Sequence, residues 1–180
     1  MKTLKNLAMC LAMSSTIAVL FFPAPASAQS KLTDPEIASI AVTANQVDIN
    51  QAALAKEKSK NAQVLNFAQT MTNDHKAVID QAVALVTKLK VTPKDNATSQ
   101  KLLADAAKTK AALQTKSGTA FDKAYVDNEV AYHKAVIGVV EGTLIPATQN
   151  TELKALLQKV VPALKTHLEH AEMLQKSLNK

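Results

Sequence analysis

Arginine is missing from this chain, and cysteine, glycine and aromatic residues are scarce. All 21 basic residues are lysine, there is one Cys, there are three Gly and no Trp, and aromatics make up 3% of 180 residues. Each scarcity excludes something. Without Arg there is no bidentate fork for phosphate or base edges, and few rings remain for base stacking. Nucleic acid is therefore not an expected partner, despite a formal charge of +6. The lone Cys10 falls near the start of the chain, so the remainder has no disulfide, thiolate metal ligand or cysteine nucleophile. No Gly-rich phosphate loop or nucleophile elbow occurs, and no catalytic residue set is identified.

What is present is helix-forming: much Ala, Leu, Lys and Gln, with 47% hydrophobic residues. The first 28 residues read as a cleaved export signal. Lys2 and Lys5 precede an apolar run from Leu7 to Phe22, and Ala26-Ser27-Ala28 supplies small residues for cleavage. The run is short for a membrane span, and no second one follows, so no transmembrane segment is expected after cleavage. Residues 29–180 are expected to form one domain, carrying about +4 once Lys2 and Lys5 are removed. The expected location is the periplasm or another exported part of the cell envelope.

Apolar residues then recur at helical spacing. Helix one starts at Thr33 or Asp34, where Asp34-Pro35-Glu36 suits a first turn, and its seam is Ile37, Ile40, Ala44, Val47 and Leu54. Helix two spans about Val64 to Leu89, capped by Asn61. A shorter helix covers about Ser99 to Lys116. The next opens at Thr119 and Asp122, with the seam Val126, Glu129, His133, Val136, Val140 and Leu144, and ends at Pro146. Phe121, Tyr125 and Tyr132 fall on an adjoining face. Gly138 and Gly142 are spaced to let a neighbouring helix approach closely. The last helix, capped by Asn150 or Thr151, carries the seam from Leu153 to Leu178, with a kink predicted before Pro162. Four long helices with short connections predict an all-α antiparallel four-helix bundle with an additional short helix.

Polar residues interrupt the seams near mid-helix. These are Asp48, the pair Asp74-His75, Glu129 with His133 one turn later, and His167 with His170 at the seam edge. Because the helices alternate direction, these positions converge in one core layer. In one reading, neutral histidines bond to the carboxylates and set helix register. In the other, imidazoles and carboxylates bind zinc, copper or iron. The sequence favours the first for any one histidine, and less strongly for histidines on three seams.

The segments NQVDINQAALA, VLNFAQTMTNDHKAVI, FDKAYVDNEVAYHKAVI and VVPALKTHLEHAEML resemble a bacterial exported domain-of-unknown-function family with a ferritin-like four-helix fold. Its members are often labelled predicted outer-membrane or periplasmic proteins. Asp74-His75, His133, and Pro162 followed by His167 and Ala171 match the family pattern, while Asp48 stands where the family often has Glu. The resemblance implies fold and location rather than activity. It implies an envelope role that is structural, partner-binding or stress-related, with transition-metal binding as the alternative. Di-iron chemistry is not expected, because its Glu-x-x-His motif is missing. A transmembrane β-barrel is excluded by the helical period.

Overall fold

The structure, a computed structural model, describes residues 31–180. The expected signal, its cleavage point after Ala28 and Cys10 lie outside the described residues. Among those described, every regular element is a helix. These are α1 (Asp34–Lys58), α2 (Ala62–Leu89), α3 (Ala97–Gln114), α4 (Gly118–Val139), a π-helical turn (Val140–Leu144), the short α5 (Ile145–Ala147) and α6 (Thr151–Leu178). Helices α1, α2, α4 and α6 form an antiparallel ferritin-like four-helix bundle. No described helix is long and apolar enough to cross a membrane.

The helix boundaries follow from side-chain chemistry. The carboxylate of Glu36 accepts from the Thr33 backbone N–H at 3.0 Å and from its hydroxyl at 2.7 Å. Asn61, Asn96 and Asn150 each turn a side-chain oxygen onto the first free backbone N–H groups of α2, α3 and α6, which no helical carbonyl can reach. Gly118 opens α4 with φ +53°, a left-handed backbone that glycine adopts without a Cβ penalty. This start lies one residue before the expected Thr119.

The additional helix α3 is strapped along α1. The side-chain amide of Asn96 donates to the Glu36 carbonyl at 3.1 Å, and the Ser39 hydroxyl donates to Asp95 at 2.9 Å. At the other end the Lys58 ammonium donates to the Gln114 carbonyl at 2.6 Å. Asp34 reaches the opposite connection, accepting from the backbone N–H groups of Gln149 and Asn150 at 2.8 and 2.9 Å.

Beside the α4 seam, Phe121 and Tyr125 are fully buried like the seam residue Val126, with their rings 6.2 Å apart, and they pack one end of the core. One expectation needs correction. The Gly138/Gly142 pair admits no close neighbour, since a Cβ built at either position meets nothing within 4 Å. Both glycines face outward, and between them the α4 ladder widens into the π-helical turn, which carries the chain on to Ala147, one residue past Pro146.

The core divides along the bundle axis. One end packs Phe67, Met71, Phe121, Tyr125, Val126 and Leu174 among small alanines. The other packs Ile37, Ile40, Ile137, Val140, Leu144, Leu153, Leu157, Val161 and Leu164, all aliphatic. In all four long helices the polar positions fall between these two sets.

Candidate metal centre

Each long helix delivers one mid-helix polar residue or more to the same level. Asp48 comes from α1, His75 from α2, Glu129 and His133 from α4, and His167 from α6. All five are buried. The imidazoles of His75, His133 and His167 form a triangle with ring centres 5.7, 5.2 and 5.5 Å apart. One ring nitrogen from each lies within 4.8 Å of the others. Asp48, Glu129 and His133 make a second such group, sharing His133.

The hydrogen bonds decide which nitrogen faces the centre. Asn45 uses its amide N–H to donate to the Ala41 carbonyl at 2.8 Å, so its oxygen is the atom turned to His75. His75 Nδ1–H therefore donates to Asn45 Oδ1 at 2.7 Å, which leaves Nε2 with a lone pair. His133 Nδ1–H donates to the Glu129 backbone carbonyl at 3.0 Å, again leaving Nε2 free. His167 Nε2–H donates to Asp74 Oδ2 at 2.9 Å, leaving Nδ1. Those three remaining nitrogens are buried and have no hydrogen-bond partner. An outward bond that fixes the tautomer and an inward lone pair is the arrangement by which proteins present histidine to a metal.

The carboxylates are equally unsatisfied. Both oxygens of Asp48 and both of Glu129 are buried without a hydrogen-bond partner. Asp48 Oδ2 lies 3.3 Å from His75 Nε2 and 3.6 Å from His133 Nε2. Two donors sharing one tetrahedral ion, with bonds of about 2.0–2.1 Å, stand about 3.3 Å apart. The layer thus leaves seven orphaned donor atoms in one place. At about 1–3 kcal/mol for each buried unsatisfied group, their summed cost approaches the whole stability of an ordinary domain, about 5–15 kcal/mol. Without an ion, a protonated Asp48 O–H can donate to His75 Nε2 across the 3.3 Å between them, which pairs two of these atoms and leaves the other five. The donor set fits a cation.

Burial also sets the protonation states. Desolvation, aided by the neighbouring histidines, lowers the His75 pKa to about 3, and desolvation lowers that of His133 to about 4, so both rings are neutral and able to ligate. Burial pushes the Asp48 carboxyl up to about 8. Burial and the facing Asp48 drive Glu129 well above its usual range. The same burial raises the Tyr125 phenol, whose hydroxyl is also unpartnered.

Two residues named from the sequence stand apart. The Asp74 side chain is half exposed and reaches the layer only through its bond to His167. His170, one turn beyond, sets its ring edge-on to Phe67 at 5.1 Å, at the aromatic end. Sequence reading missed Asn45, the residue that orients His75. Its spacing of three from Asp48, which puts both on one helix face, is the signal that could have found it.

A bundle core with this histidine and carboxylate layer defines an all-α protein of ferritin-like architecture carrying a potential metal site. The chain belongs to the family described as "Domain of unknown function (DUF4142)", which matches residues 22–174. Among solved structures it is similar to "CopM in the Cu(II)-bound form", with a TM-score of 0.62, 14% identity, and 82% of this chain and 98% of that chain covered. At that identity the likeness shows the fold. No curated protein matches this chain.

Proposed function

We propose that this protein binds one divalent transition-metal ion in the core of its bundle. His75, His133 and His167 would hold the ion, with Asp48 as a further ligand and Glu129 beside it. The observation that carries this reading is the set of three pinned imidazoles whose free nitrogens converge within 4.8 Å. Nitrogen and carboxylate donors without a thiolate suit zinc, copper(II) or iron rather than copper(I). Copper(II) stands highest in the general affinity order for such donors. The copper(II) bound by the structural neighbour points the same way. The export signal read in residues 1–28 suits a protein of the cell envelope, where the role is binding, storage or delivery of the ion.

The test is elemental analysis of the exported protein purified without a His tag, together with thermal melts in chelator and in added copper, zinc or iron. The expected result is about one ion per chain and a higher melting temperature with metal, since a ligand bound only to the folded state stabilises it. His133→Leu should remove both. A metal-free protein that stays folded and gains no stability from any of the three ions overturns the reading.

A further inference from the structure

The aliphatic end of the core holds a space whose rim reaches the surface at the exposed Ala77, Ala135 and Ala163. This chamber of about 450 Å³ is bounded by α1, α2, α4 and α6 and roofed on one side by α3. That volume falls in the range of small-molecule sites, about 300–1,000 Å³. Its walls are alanine, valine, leucine and isoleucine, among them Ala77, Val136, Leu157 and, from α3, Leu102 and Ala106. His75, His133 and His167 also line it, whereas Asp48 and Glu129 do not. The chamber thus meets the layer on its imidazole side.

Three features of the lining narrow the occupant. None of the described lysines lines the chamber, while Asp74 and Asp105 do, so an anionic head would find no counter-charge. Apart from the imidazoles, Tyr132 is the only aromatic wall residue among the described residues, so the walls suit an aliphatic chain rather than a flat ring system. The neutral polar groups near the layer are already engaged: Tyr132 donates to the Ala44 carbonyl at 2.8 Å, Asn128 donates to Gln51, and Asn45 holds His75. Among the fully buried polar atoms of the lining, those without a partner are the imidazole nitrogens, which accept a hydrogen bond and do not donate one. We propose that the chamber binds a neutral straight-chain aliphatic molecule with a single hydroxyl head, the chain along the aliphatic walls and the hydroxyl at the histidine layer. Without metal the O–H donates to an imidazole nitrogen. This proposal stands without the metal reading and is tested in chelator-treated protein, so its failure leaves that reading untouched.

The experiment is calorimetric titration of the chelator-treated full domain with butan-1-ol, hexan-1-ol, octan-1-ol and decan-1-ol, and with decanoate at neutral pH. Affinity should rise about fourfold per methylene while the chain still fills the chamber. Decanoate should bind about tenfold or more weakly than decan-1-ol, because its charge would be buried without a partner. Ala77→Leu and Ala106→Leu add bulk to the wall from two different helices, and each should weaken decan-1-ol binding at least about tenfold by occupying the space its chain needs. Val83→Ala, at an exposed position outside the lining, should leave binding unchanged. If one filled variant does not fold, the other gives the same reading. Affinity independent of chain length, decanoate binding as tightly as decan-1-ol, or a folded filled variant that binds normally would each overturn the proposal.

Discussion

The two ends of the bundle are built from the same four helices yet differ in how they are filled. On one side of the histidine layer, Phe67, Phe121 and Tyr125 are fully buried and touch edge-on or stacked, with ring centres 6.2–6.3 Å apart. On the other side, six of the nine buried aliphatic residues, Ile40, Val140, Leu144, Leu153, Leu157 and Leu164, line a chamber of about 450 Å³. Large rings fill the space between four helices, whereas alanine, valine and leucine seams at the same spacing leave part of it empty. Close packing is the rule for protein interiors, so an end held together without it has given up dispersion contacts that the aromatic end retains. The aromatic end is filled by its own side chains, and the aliphatic end keeps a space of the size that small-molecule sites have.

The same truncation on either side of the layer gives the strongest test of this contrast. Leu174 and Leu157 are both on α6 and both buried, but only Leu157 faces the chamber. Leu174→Ala should cost about 3–5 kcal/mol by opening a cavity in a packed region. Leu157→Ala should cost about 2–3 kcal/mol, because its neighbours already border open space. Urea denaturation measures both. Equal losses would mean that the two ends are packed alike.

Metal should act on the layer between the ends. At an ion concentration about one hundred times the dissociation constant, stabilisation should reach about 2.7 kcal/mol. Leu157→Ala should keep that gain, while His133→Leu should lose it. A gain that survives His133→Leu would place the ion elsewhere.

The layer also predicts opposite pH behaviour with and without metal. In the metal-free protein Asp48 and Glu129 have pKa values raised above their unfolded ones, so their contribution is present below about pH 4 and is lost as pH rises, for Asp48 through about 8. His75 and His133 are lowered to about 3 and about 4, so their contribution is present above 6.5 and is lost as pH falls to those values. The two effects oppose each other between about 4 and 6.5. Between 6.5 and 8 the carboxylates act alone, and metal-free stability should fall as pH rises. Bound metal needs ionised carboxylates and releases their protons, so the loaded protein should become more stable over that same interval. Melts at about pH 6.5 and about pH 8 with and without ion measure both slopes, and parallel slopes would separate the carboxylates from the metal.

Much of this is legible in the chain itself. Asn61 and Asn150 mark helix starts by chemistry that acts within three residues, and the seams of α2 and α6 keep helical spacing throughout. The convergence of His75, His133 and His167 follows from their mid-helix positions once the helices alternate direction. The pairing within the layer is not legible, because which nitrogen of His75 faces inward depends on Asn45 from another helix. The chamber is not legible either. Seam spacing shows which residues turn inward, but the space left over depends on how far apart the backbones stand, and Ala163 or Val160 reads the same in a filled core as beside a hollow. Phe121 and Tyr125 read as a face adjoining the α4 seam, and the structure buries that face together with Val126 at one end, which spacing alone does not show.

The smallest effect concerns the outer wall of the aliphatic end. Gly138 and Gly142 look like a close-packing motif, yet a methyl group added at either would have no neighbour within 4 Å. Gly138 lies in α4 before the π-helical turn, on an exposed face, so Gly138→Ala should stabilise the protein by about 0.5–1 kcal/mol through helix propensity alone. Because the methyl would point away from the chamber, decan-1-ol affinity should not change. A destabilised Gly138→Ala protein would mean that a second helix does approach this face. A stabilised protein with altered alcohol binding would mean that the wall of the chamber responds to the stiffness of α4, so that the aliphatic end is shaped by the helix backbone as well as by its side chains.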